Sequence, residues 1–201
     1  MNREYREKQL LVLAGPSGAG KSTLIKKIRS KQLPLSMYKQ LQIEDISTLP
    51  IFEQKDIEQT MFHQFDFDSS MILHYDLFCN YFNRDNHESV LRIAEQFDRV
   101  TIITLCVPAK TLLNRIQLRI IQTLIKICLQ PSYFKAGFTY FSNQWDKYQK
   151  YFRSNITRQI YREWFDFATA TWTSSHWVLD SNQSQLEMQP VEVLKVQQLN
   201  L

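Results

Sequence analysis

The chain has 201 residues, 44% of them hydrophobic and 22% charged, with a formal net charge of +4. That composition fits one globular domain needing no disulfide or structural metal, since a chain of this size withdraws roughly 70% of its unfolded surface from water. The positive charge is modest and no dense Lys/Arg tract accompanies it, so nucleic acid is not an expected partner.

Cys79, Cys106 and Cys128 stand far apart, with no Cys-x-x-Cys pair or His/Cys cluster, as in reduced, buried thiols of a cytosolic protein. His63, His74, His87 and His176 show no mutual metal-ligand spacing and read as structural. The N-terminus mixes both charge signs, and its first apolar run, Leu10 to Ala14, is too short for a signal-peptide core. Nothing approaches the roughly 18 apolar residues of a membrane span, so no membrane partner and a cytoplasmic location are expected.

In chain order, Leu10 to Ala14 is a continuous apolar run that predicts a strand buried on both faces. A glycine-rich turn follows, then a helix over 21–31 with Leu24, Ile25 and Ile28 on one face. Further strands are predicted at 41–46, ending in Glu44-Asp45, at 70–75, ending at Asp76, at 100–107 and at 176–179. Helices are predicted at 51–63, 86–97 and 109–129, the last with Leu112, Leu113, Ile116, Ile120, Ile121 and Leu124 on one face. A long aromatic helix follows, in which Tyr148, Phe152, Ile156, Ile160 and Trp164 recur every fourth residue. Alternating strands and helices predict an α/β fold: a five-stranded, mainly parallel sheet, helices on both faces, and a helical lid-like insertion over 109–172 within a domain spanning 1–180. Residues 181–201 read as a tail or an edge strand built on Val191, Val193, Leu194 and Val196.

The turn carries the strongest signal. Gly15-Pro16-Ser17-Gly18-Ala19-Gly20-Lys21-Ser22-Thr23 matches Gly-x-x-x-x-Gly-Lys-[Ser/Thr] in full, between a predicted strand and a predicted helix. The glycines let backbone N–H groups converge on phosphates, and the helix start aims its dipole at them. Lys21 supplies a charge between β- and γ-phosphates, and Ser22 a hydroxyl for Mg²⁺. The expected ligands are therefore ATP or GTP with Mg²⁺, the loop reading phosphates and not the base.

The run from Leu10 to Leu24 resembles the phosphate-binding loop of guanylate kinase and other small P-loop kinases, such as those acting on gluconate or adenylylsulfate. The close resemblance covers about the first 30 residues. The Thr-Thr-Arg-x-Pro-Arg and Gly-Tyr segments that hold GMP in guanylate kinases do not occur between Leu33 and Phe67. The resemblance implies the three-layer α/β/α fold of P-loop NTPases and transfer of a γ-phosphoryl group. It also implies that an Asp near the strand end at 44–45 takes the acceptor's proton, which singles out Asp45. The turn at Pro108 and the helix after it resemble a strand-to-lid transition, in which Arg115 and Arg119, one helix face apart, would neutralise the moving phosphoryl group.

A carboxylate at the end of a neighbouring strand is needed to hold Mg²⁺ or orient the nucleophile, and Asp76 is the candidate; the competing reading is a cap of the next helix. Residues 131–172 interleave aromatics with Lys147, Lys150, Arg153, Arg158 and Arg162. They read as a lid hinged at Gly137, as a core-covering helix pair, or as a stacking surface. Two functions follow. One is a phosphotransferase acting on a small hydroxylated or nucleotide acceptor. The other is an NTP-hydrolysing switch that meets a protein partner through the aromatic helices.

Overall fold

The computed structural model describes residues 7–43, 45–59, 67, 69–83, 87–152, 156–171, 175–181 and 187–191. Strand β1 (Gln9–Gly15) lies at the centre of the sheet, with all but its first residue buried. It pairs in parallel with β3 (Met71–Asp76) on one side and β4 (Arg99–Cys106) on the other. A strand flanked on both edges and covered on both faces has no solvent side, and its unbroken Leu-Leu-Val-Leu-Ala run reflects that.

Beyond β3 lies β2 (Ile51–Glu53), and beyond β4 lie β5 (His176–Asp180) and β6 (Met188–Pro190), giving six strands in the order β2-β3-β1-β4-β5-β6. Among the described residues only the β5–β6 pair is antiparallel. The sheet thus gains one strand over the expected five. The extra edge forms at 188–190, within the span read as a tail or an edge strand; Val193, Leu194 and Val196 lie outside the described residues.

Two predicted elements exchange character. The weak strand expected at 41–46 is the end of helix α2 (Leu35–Leu41) followed by a turn. Met37 and Leu41, four apart, bury one helical face, and Gln42 ends the helix in the left-handed region at φ 51. The residues expected to begin a crossover helix at 51 instead form β2, before the short helix α3 (Gln54–Gln59). Three residues are too few to show a period, and Pro50, whose carbonyl accepts the Ile72 N–H, fixes the strand's entry.

Helix α1 (Lys21–Arg29) follows the glycine turn, α4 (Leu77–Asn83) continues straight from β3, and α5 (Glu88–Ala94) precedes β4. Helix α6 (Ala109–Leu129) has the predicted bounds and packs along α7 (Phe134–Phe152). The periodic aromatic pattern is divided between α7 and α8 (Ile156–Thr171). The two helices then part in character. Helix α8 buries Ile160, Tyr161, Trp164 and Phe165 in the core, whereas α7 leaves a row of rings in water. Gly137 is not a turn residue. It lies inside α7 where a Cβ would come within 2.6 Å of Ile127 and 2.8 Å of Tyr133, so it marks the close approach of α7 to α6. Cys106 is buried as expected, but Cys79 and Cys128 are exposed.

Candidate functional site

Residues 15–23 join the carboxyl end of β1 to the amino end of α1. Gly18 and Gly20 take φ values of 92° and 103°, a region costly for residues with a Cβ. A Cβ on Gly15 would lie 3.1 Å from the Leu105 carbonyl oxygen and from the Ala19 Cβ, a tight fit that would require those neighbours to shift by a few tenths of an ångström. No side chain caps α1, whose N-cap residue is Gly20. The loop's tight path and the uncapped first-turn N–H groups leave a cradle suited to a polyphosphate. Ser22 and Thr23 stand exposed at the start of α1.

Lys21 is buried, and its ammonium donates to the carbonyl oxygens of Gly15 and Pro16. It also lies 3.7 Å from Asp76 Oδ2. Burial lowers the Lys21 pKa, and the Asp76 charge offsets this only in part. The register explains the pairing, because Gly15 stands directly across from Asp76 at the ends of β1 and β3.

Asp76 uses its two oxygens differently. Oδ1 accepts the N–H groups of Phe78 (3.0 Å) and Cys79 (3.2 Å), capping α4. Oδ2 accepts the Ser17 hydroxyl at 2.6 Å and faces Lys21. The cap and the loop-facing carboxylate, alternatives in the sequence, are thus the same side chain. Burial by itself would raise the carboxyl pKa, but Lys21, the Ser17 hydroxyl and Lys147 together hold it below its ordinary value.

Lys147 was not singled out by sequence reasoning. It reaches down from α7, and its ammonium donates to Ser17 Oγ at 2.8 Å. Lys147, Ser17, Asp76 and Lys21 therefore form one connected polar chain across the front of the loop. Helix α7 is seated there by apolar contacts: Tyr151 lies against Phe78 of α4 with ring centroids 4.5 Å apart, and Lys150 sits over the Phe82 ring at 4.9 Å. The buried Tyr151 hydroxyl lies by the Ser17 backbone yet makes no hydrogen bond of ordinary geometry among the described residues. A lysine in mid-helix has no spacing that marks it. The only hint was its place among aromatics in a region long enough to fold back.

Arg115 and Arg119 lie on the loop's other side. Arg115 donates to the carbonyl oxygens of Gly18 (3.1 Å) and Ala19 (3.3 Å) and to Ser181, tying the loop to the end of β5. Arg119 lines, with Arg115, Thr23, Lys27 and Ser181, a cleft of about 280 Å³ beside the start of α1. Asp45 is exposed in the turn after α2, at φ 49, where its carbonyl accepts the Thr48 N–H and hydroxyl. The strand end that motivated its selection does not form, because apolar Ile43 and Ile46 pack as turn residues; Glu44 lies outside the described residues.

The family model described as the Rad17 P-loop domain matches residues 1–127, from β1 through most of α6 and well over half of the chain. No curated protein and no solved structure matches. The match supports nucleotide binding and, at a coarse level, nucleotide hydrolysis; it does not extend to a kinase-like assignment. Among the described residues, no helix is long and apolar enough to cross a membrane. With an intact phosphate loop at the end of the central strand of a mostly parallel sheet, the chain belongs to the Rad17 P-loop domain family.

Proposed function

We propose that this protein is a Mg²⁺-dependent nucleoside triphosphatase whose helical hairpin, α6 and α7, reads the occupancy of the phosphate loop through Lys147. The observation that carries the reading is the polar chain from Lys147 through Ser17 to Asp76 and Lys21. Lys21 and the loop N–H groups would hold the triphosphate, and Ser22 and Asp76 would hold a Mg²⁺ ion that would supply charge neutralisation at the phosphates. Lys21 swings from the Gly15 and Pro16 carbonyls to the phosphates, a charge-assisted partner in place of neutral ones. The nucleoside extends past Thr23 into the cleft at Arg115 and Arg119. Asp76, kept ionised by its surroundings, orients the attacking water.

A second reading is transfer of the γ-phosphoryl group to a small acceptor, with Asp45 taking the acceptor's proton. One observation favours it. Helix α7 closes over Ser17 with Lys147 and the buried Tyr151, and a covered site protects a phosphoryl group from water.

Purified protein with ATP or GTP and Mg²⁺ separates the two. Phosphate release that needs Mg²⁺, is independent of acceptor and is abolished by Lys21→Ala is expected. Transfer to an added hydroxylated metabolite or nucleotide, without release in its absence, would establish the second reading instead. Unchanged nucleotide affinity in Lys21→Ala would remove both.

A further inference from the structure

Helix α6 was expected to carry Leu112, Leu113, Ile116, Ile120, Ile121 and Leu124 on one face, and a core-covering helix pair was one of three readings of residues 131–172. The two helices α6 and α7 bury only part of their apolar surface. Leu112, Ile116 and Ile120 of α6 go into the core, but Ile121, Leu124 and Ile125 stay exposed, with Leu118 and Leu129 beside them. On α7, Phe138 and Phe152 are 58% and 68% exposed, and Trp145 is 45% exposed. Surface apolar residues scattered singly mean little, but a contiguous set of this size marks a contact.

The two rows lie side by side. Gln117 Nε2 donates to the Tyr148 hydroxyl at 2.9 Å, and Gly137 meets Ile127, so the helices run antiparallel in fixed register. At about 100° per residue, Leu124 falls near Gln117 on the α6 wheel, and Ile121, Ile125 and Leu118 follow outward. On α7, Phe141 falls near Tyr148, and Trp145 and Phe138 lie outward. The result is a groove with Gln117 and Tyr148 on its floor and apolar walls.

The α7 wall is ordered in advance. Phe134, Phe138, Phe141, Trp145, Tyr148 and Phe152 form an unbroken ladder, successive rings 6.3, 6.3, 6.3, 5.7 and 5.9 Å apart. Rings already held by their neighbours lose little rotamer freedom when a ligand covers them.

The charges select the occupant. From Ala109 to Trp145 the chain has no Asp or Glu, while Lys110, Lys126 and Lys135 are cations outside the phosphate-loop cleft that Arg115 and Arg119 line. A second copy would bring two such carboxylate-free surfaces together. A flat bilayer would meet the walls but not fill the groove. We propose that the α6–α7 groove binds an amphipathic helix of a protein partner, its apolar stripe between the walls and its acidic flanks toward the cations.

The test needs no nucleotide. A synthetic helical peptide with leucines at i, i+3, i+4 and i+7 and glutamates on its flanks is titrated against the full chain. Binding with a Kd on the order of 10 µM is expected, weakened about tenfold or more in Phe138→Ala and in Trp145→Ala. Both positions are exposed, and an unchanged melting temperature shows that each variant folds. Equal binding of the same peptide with lysines replacing the glutamates would overturn the charge argument. Three other results would overturn the proposal outright: no binding of the acidic peptide, sedimentation with phosphatidylserine vesicles in place of peptide binding, or a dimer that Trp145→Ala dissociates.

Discussion

Asp76 is the residue on which most of the site converges, and its two oxygens divide the work. Replacing it with Asn preserves the shape but removes the charge that faces the buried Lys21. The ammonium keeps the Gly15 and Pro16 carbonyls, yet loses its only nearby counter-charge among the described ion pairs. Breaking a buried pair from one side costs about 3 kcal/mol. Asp76→Asn should therefore lower the unfolding free energy from denaturant titration by about that much, and lower turnover by about 100-fold while nucleotide still binds. The pH dependence has a definite sign. A carboxyl held below its ordinary value contributes stability at all pH above the unfolded pKa, and loses it only as pH falls through the lower folded value. An acid-unfolding curve that is the same with and without the carboxylate would refute this. The loop and Asp76 were legible because both are local: a complete motif, and an acid at the end of an apolar run. Lys147 was not, because 130 residues separate it from Ser17 and only the packing of α7 on α4 brings it back.

At the scale of elements, α8 is the part of the helical aromatic pattern that packs into the core. Tyr161 donates its hydroxyl to the Leu105 carbonyl and accepts the Val107 N–H, so a side chain replaces the ladder where β4 ends before Pro108. One turn on, Trp164 Nε1 donates to Thr104 Oγ1 at 2.7 Å, and that hydroxyl lies 2.8 Å from His176 Nε2 on β5. The Thr104 hydroxyl donates onward if the imidazole is neutral, which suits a buried ring. Burial lowers the His176 pKa to about 4. An unfolded histidine takes up its proton near pH 6.5, so the folded state loses ground as pH falls from there to about 4. The loss totals about 3 kcal/mol, at roughly 1.4 kcal/mol per unit. Stability measured from pH 7.5 to 4.5 should fall in this window in the native chain, and His176→Gln should flatten the slope. A slope unchanged in that variant would show that another group titrates. The strands around this network, β1, β3 and β4, were readable from their apolar runs, and α6 from its period. Strand β2 was not, since three residues gain their conformation from the Ile51–Ile72 pairing and not from any pattern of their own.

The whole molecule adds a connection that neither the loop nor the hairpin shows alone. Lys147 now satisfies its ammonium on a neutral hydroxyl, Ser17 Oγ. A bound triphosphate offers an anionic partner at the same loop, and a charge-assisted bond is about twice as strong as a neutral one. Helix α7 should therefore be held more firmly when Mg-nucleotide is bound. Its amides at 134–152 should gain hydrogen-exchange protection that Lys147→Met does not show. The same variant should bind nucleotide about tenfold more weakly, as expected for a lost hydrogen bond to a charged group of about 1.5 kcal/mol. The coupling is reciprocal by thermodynamic necessity: whatever occupies the α6–α7 groove and prefers the nucleotide-held hairpin must tighten nucleotide binding by the same factor. The acidic peptide and Mg-nucleotide should accordingly raise each other's affinity in the native chain and act independently in Lys147→Met. If the two bind without mutual effect in the native chain, the hairpin is not the reader of the loop, although groove and loop could each still bind their ligand.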